Sequence, residues 1–145
     1  MRYVGKWVFN SIGIVADSDK MVYLGAEDYL KSPMPYIDET DEEAVADELR
    51  ERKSMIGMQI EICEDGKLYM LMPLPEGVTE EEVDAAVASG EINMRGGMMA
   101  NAPESWEERD GVLWYTSALS EDGWTKGSDD DGFVFFLTLR FVKAG

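Results

Sequence analysis

The sequence contains no histidine. That removes the side chain most used as a general base near neutral pH, the commonest metal ligand, and every Ser-His or Cys-His nucleophile pair. Cys63 is the only cysteine, so no disulfide can form within the chain. A lone thiol fits a reducing compartment better than an oxidising one. Basic residues are scarce, 13 against 30 acidic ones, for a formal net charge of −17. Nucleic acid and anionic membrane are bound chiefly through Lys and Arg that neutralise phosphates, so neither is an expected partner. No apolar run approaches the length of a membrane span, and the opening Met1-Arg2-Tyr3-Val4-Gly5-Lys6-Trp7 has no apolar signal core. If Met1 is the natural start, the expected location is cytoplasmic.

Motifs for chemistry are missing too. Gly96-Gly97 lacks the spacing and the following Lys-Ser/Thr of a phosphate-cradling loop. Asp129-Asp130-Asp131-Gly132 lacks the alternating ligands and closing glutamate of a calcium loop, and reads as a solvated turn. Glu107 and Glu108 are neighbours on a strand, so they face opposite ways and cannot work as a pair. Cys63 falls on the same strand face as Gln59 and Glu61, a solvated position and not a nucleophile's pocket. No catalytic residue, metal or cofactor is expected, and the chain is not read as an enzyme.

What is present is a globular composition. Hydrophobic residues make up 45% of the 145, so the acidity does not signal disorder, and one domain spanning 1–145 can bury a core unaided. Tyr3 to Ala16 is rich in Val, Ile and aromatics and reads as a long first strand, bulged near Gly13; Met21 to Leu24 reads as a short second one. Pro33 and Pro35 exclude regular structure between them. Thr40-Asp41-Glu42-Glu43 and Thr79-Glu80-Glu81-Glu82 are two capping boxes with Thr as the N-cap. They predict helices over about 41–53 and 80–89, the first ending in Arg50, Arg52 and Lys53, which suit its negative end, the second at Gly90. Val45 and Leu49 on one helix, and Val83 and Val87 on the other, are thin apolar stripes. Such helices lie on a surface or cover an opening.

The rest reads as strands separated by four Asp-Gly pairs. At Asp65-Gly66 a two-residue loop would split the apolar set between faces. A three-residue loop, Glu64-Asp65-Gly66, pairs Ile62 with Leu68, Ile60 with Met70 and Met58 with Met72, and is preferred because register follows the buried face. The same logic at Arg109-Asp110-Gly111 sets Trp106 opposite Trp114. The strand Val112–Leu119 is then expected to pair with a final strand, Phe133–Val142, across a solvated loop from Ser120 to Gly132. Phe133, Phe135, Leu137, Leu139 and Phe141 would share one face of that last strand. So apolar an edge favours closure, and the expected fold is mainly β: an antiparallel meander of about 7 or 8 strands closing into a small barrel.

Gly5-Lys6-Trp7, early in the first strand, resembles the glycine-x-tryptophan signature of lipocalins and related calycins. The resemblance implies a lipocalin-like barrel in which an arginine from a late strand packs across the tryptophan and closes one end. Arg140 is the residue placed for that role opposite Trp7. The helix at 41–53 is similar in placement to the lid of fatty-acid-binding proteins, which are also calycins. Their ligand-holding arginine is followed two residues later by tyrosine, whereas Val142 stands here. The helix at 80–89 belongs to neither pattern.

A closed barrel can be filled by side chains or left open for one small ligand. The expected function is a non-enzymatic binding protein that holds a small apolar molecule, with Trp114, Tyr115 and Phe135 lining the cavity. Met98, Met99 and Trp124 would form its rim at the end away from Trp7. The alternative is an acidic interaction module with a filled barrel and no ligand.

Overall fold

The computed structural model describes residues 3–15, 20–34, 37–75, 77–100, 103–117, 121–128, 132–136 and 138–144. An antiparallel sheet curls into a half-barrel, so the mainly β expectation holds. Eight strands form its path, in the order β10-β11-β1-β3-β4-β7-β8-β9. These are β1 (Gly5–Val15), β3 (Gln59–Ile62), β4 (Lys67–Met72), β7 (Glu104–Arg109), β8 (Val112–Thr116), β9 (Trp124–Lys126), β10 (Val134–Phe136) and β11 (Leu139–Lys143). Off this path, β2 (Met21–Leu24) extends the far half of β1, and the hairpin of β5 (Asn93–Arg95) and β6 (Met98–Ala100) joins β4. The helices are α1 (Ala26–Lys31), α2 (Glu42–Ile56) and α3 (Glu80–Ser89).

β1 organises the sheet because it pairs with β3, β11 and β2 along its length. Its irregularity falls at Asn10, between Phe9 and Ser11, and not at Gly13 as the sequence suggested. One extra residue there bends the strand and increases its twist, which helps the sheet curl. Trp7, Ile12, Leu139 and Phe141 thereby face the core, where Ile60, Ile62, Leu68, Met70, Trp106, Leu113, Tyr115 and Val134 meet them. Each fully buried Leu, Ile or Phe side chain of this set contributes roughly 1.5–3 kcal/mol.

The β3–β4 hairpin has the expected register, Ile60 opposite Met70 and Ile62 opposite Leu68. Its three-residue loop ends on Gly66 at φ 87°. The next hairpin differs. Trp106 pairs with Tyr115, not Trp114, through a two-residue turn in which Asp110 (φ 52°) and Gly111 (φ 81°) are both left-handed. That turn matches strand twist, and it puts Trp106, Leu113 and Tyr115 together on the buried face while Trp114 turns outward.

The stretch read as a solvated loop after Ser120 contains β9, which takes the place beside β8 that the final strand was expected to fill. The expected final strand is itself a hairpin, β10 and β11, reversing between Phe136 and Leu139. The reversal changes the phase of the alternation. Val134 pairs with Phe141 and Phe136 with Leu139 on the inside, so Phe135 points out beside Arg140.

The two ends of the path meet at Ser128, which bridges to Val134 while the Phe135 amide donates to the Gly127 carbonyl (2.8 Å). Ser128 is 1% exposed. Its hydroxyl accepts from the Leu113 amide (2.9 Å) and lies 3.0 Å from the Tyr3 hydroxyl, which donates to the Gly111 carbonyl (2.6 Å). With the Tyr3 proton committed to Gly111, Ser128 is left as donor to Tyr3. The Trp7 indole N–H donates to the Tyr3 carbonyl (2.9 Å). A Trp7–Tyr3–Ser128 chain therefore ties the N-terminus to the meeting ends.

That chain stands where a Trp7–Arg140 contact was expected. Trp7 and Phe9 pair with Lys143 and Phe141, whereas Arg140 pairs with Ser11 beyond the bulge, so Trp7 and Arg140 occupy opposite faces of the sheet. Arg140 lies instead over the rings of Tyr23 (3.6 Å) and Phe133 (4.8 Å).

Candidate functional site

The two long helices sit differently on this frame. α2 begins at Asp41, not Thr40: the Asp41 carboxylate accepts from the amides of Glu43 and Ala44, while the Thr40 hydroxyl donates to Asp38. Near its other end Arg52, 2% exposed, is buried outright. Its guanidinium donates to the carbonyls of Tyr29, Ser32 and Pro33, to the Ser32 hydroxyl and to Glu48 (2.7–3.1 Å). These bonds lock α1 and the segment after it onto α2, and Tyr29, Met55 and Ile56 join the core. The sequence reading of Arg52 as a complement to the negative helix end missed this anchor.

α3 has the predicted bounds and the predicted caps, with Thr79 accepting from the Glu82 amide and Gly90 left-handed at φ 83°. No residue of it is buried. It stands off the sheet, and beneath it runs an open groove of about 590 Å³. Leu74, Val78, Val83, Ala86, Ile92 and Met99 supply its apolar walls, with Glu82, Ser89 and Glu91 on the lining. Residues 77–79 and 90–92 flank the helix, while β6 presents Met99 opposite Met72 of β4 and Met94 of β5. Gly96-Gly97 forms the tight two-residue turn of the β5–β6 hairpin, both at positive φ, which holds Met99 in this register. A groove of this size suits one small molecule, and its thioether wall can adapt to shape.

The other expected lining residues do not gather there. Tyr115 is buried opposite Trp106 in the core, and burial, with a smaller contribution from Glu104, holds its hydroxyl above the usual phenol range. Met98 pairs with Arg95 and does not line the groove. Phe135 faces outward. Trp114 and Trp124 lie together on the outer face of β7–β9, where the Arg109 guanidinium stands 5.2 Å from one ring and 4.9 Å from the other. Only Met99 of the expected set reaches the groove. Its partners Val83 and Ala86 belong to a helix whose thin stripe gave no sign of what it covers.

Cys63 is half-buried, because Arg95 reaches across from β5 to hydrogen-bond Glu61, approach the Cys63 sulfur (3.5 Å) and cover the Tyr69 ring (4.0 Å). Desolvation, then the Glu61 charge, raises the thiol's pKa above its ordinary value, which disfavours the reactive thiolate. Among the described residues, no group of three or more acidic or cysteine side chains is placed to hold a metal ion, and no helix is long and apolar enough to cross a membrane.

No family model, curated protein or solved structure matches this chain. The groove's chemistry must stand by itself.

Proposed function

We propose that this chain is a non-enzymatic binding protein that takes a small apolar molecule into the groove beneath α3. The observation that carries the reading is the mostly apolar hollow of about 590 Å³ between Val83 and Ala86 of α3 and Met99 of β6. The barrel interior is a weaker candidate, since Trp7, Trp106, Tyr115 and Phe141 are packed into the core. Burial of a ligand's apolar surface in the groove would contribute about 25 cal/mol per Å², and α3 would settle onto it. A lipocalin-like relationship and a reducing, cytoplasmic setting belong to the same proposal. Gly5-Lys6-Trp7 at the head of β1, the curl of the sheet and the lone Cys63 support them.

The test is a titration with Nile red, a neutral apolar dye, with native mass spectrometry of freshly purified protein for a retained small molecule. Saturable binding that Met99→Glu and Val83→Glu each weaken about tenfold or more supports the groove. Binding insensitive to both substitutions contradicts it.

A second reading, the acidic interaction module, rests on a separate observation. The β1–β2 end leaves Val15 65%, Met21 46%, Val22 41% and Tyr23 39% exposed, an apolar patch of the kind that marks protein contacts. Cross-linking that is lost on Val22→Lys, with Nile red binding unchanged, would favour this reading over the first.

A further inference from the structure

The outer face of β7–β9 carries a feature that neither reading uses. Alternation along the three strands puts Glu107, Arg109, Trp114, Thr116, Trp124 and Lys126 on that face, while Trp106, Leu113 and Tyr115 fill the inside. Trp124 lies diagonally across β8–β9 from Trp114, and both indoles are half-buried. Arg109, at the end of β7, brings its guanidinium within cation–π range of both rings. Glu107 accepts a hydrogen bond from it at 2.7 Å. Two indoles and a carboxylate around one guanidinium make a receptor for a planar cation, filled here by the chain's own side chain. The filling is light: Arg109 and Glu107 are 41% and 46% exposed.

The surroundings select for positive charge. From Glu104 to Lys126 there are six acids (Glu104, Glu107, Glu108, Asp110, Glu121, Asp122) against two bases (Arg109, Lys126). Next to Glu107 a hollow of about 440 Å³ opens at the edge of β7 beyond its short pairing with β4, where Glu107 and Glu108 reach it from opposite faces of the strand together with Glu64, Gly66 and Trp106. It has three carboxylates and no basic side chain. An acidic hollow beside an aromatic cation clamp complements a segment with more than one positive residue.

We propose that the outer face of β7–β9 docks an arginine-bearing basic peptide segment, one guanidinium of which replaces that of Arg109 against Trp114 and Trp124. A neighbouring basic residue of the segment enters the Glu64–Glu107–Glu108 hollow. Arg109 is then a self-occupant that lowers the apparent affinity by the fraction of time it fills the clamp. Arginine is preferred over lysine because its flat, weakly hydrated guanidinium stacks on rings.

The experiment follows the anisotropy of a dye-labelled peptide of alternating arginine and glycine, with lysine and neutral citrulline versions as comparisons. The arginine peptide should bind severalfold more tightly than the lysine peptide, and the citrulline peptide should not bind. Arg109→Ala removes an exposed side chain and should tighten binding severalfold, an effect that a merely structural clamp does not produce. Trp124→Ala should weaken binding about tenfold, and Glu107→Gln severalfold. Far-UV circular dichroism verifies that each variant is folded. If Trp124→Ala disturbs the fold, the Arg109→Ala and Glu107→Gln results decide alone. Equal affinity for the arginine and lysine peptides, or no tightening with Arg109→Ala, would overturn the proposal and leave only the attraction of an acidic protein for any polycation.

Discussion

α2 and α3 share a sequence signature and differ in what holds them. Both begin beside a Thr followed by acidic residues, and both have thin apolar stripes. α2 is fastened by one buried arginine that satisfies three carbonyls of a neighbouring segment, while α3 has sound caps and no buried residue. Capping fixes where a helix starts and stops. Whether it belongs to the cooperative core is decided by contacts that capping does not encode. The firmly held helix therefore serves the fold, and the loosely held one is free to cover a groove.

The sharpest way to break this contrast is Arg52→Ala. It takes the guanidinium from Glu48, whose side chain is 11% exposed, and removes the bonds that Arg52 donates to the carbonyls of Ser32 and Pro33, while the Tyr29 carbonyl loses one donor and keeps the Ser32 amide and hydroxyl. Loss of one partner from a buried ion pair costs about 3–5 kcal/mol, so urea denaturation should show a large fall in stability. A loss under about 1 kcal/mol would mean that Arg52 does not anchor the helix.

The caps sharpen the same contrast at smaller scale. Asp41→Ala should lower global stability by about 1 kcal/mol because α2 unfolds with the core. Thr79→Ala removes an equivalent bond from α3, yet should shift the global midpoint by less than about 0.5 kcal/mol while raising local exchange in that helix. Equal global effects from the two substitutions would abolish the distinction.

A smaller effect concerns the core against which α2 is fastened. The raised pKa of Tyr115 means that the folded state resists its ionisation more than the unfolded state does. Its stabilisation is complete below the usual tyrosine value of about 10 and is lost as pH climbs from there through the folded-state value. Tyr115→Phe should make the alkaline loss of stability shallower without altering it at neutral pH, as read from thermal midpoints across the two pH ranges.

How legible all this was depended on local pattern. The β3–β4 register could be read because both strands alternate cleanly, so only one loop length keeps Ile60, Ile62, Leu68 and Met70 on one face. The β7–β8 register could not, because Trp114 and Tyr115 are adjacent aromatics and either could have faced Trp106; core packing chose Tyr115. Phe133 to Val142 is apolar almost throughout, which hid the reversal before Leu139 and the switch of face it brings. β9 is three residues, Trp-Thr-Lys, too short to alternate visibly inside an acidic, glycine-rich stretch. Of the candidate site, Met99 could be suspected from the methionine cluster. Arg52 and Ser128 act through carbonyls and hydroxyls distant in sequence, and nothing in their own neighbourhoods announced it.

The proposed function depends most on α3 being a loosely held cover for an apolar groove. Amide hydrogen exchange measured with and without saturating Nile red tests it directly. In the free protein, the amides of 80–89 should exchange far faster than those of 42–56. With the dye, 80–89 and 98–100 should slow markedly while β1 and β11 stay unchanged. Protection confined to β1 and β11, or none at α3, would contradict the groove and return the ligand to the barrel interior or exclude it altogether.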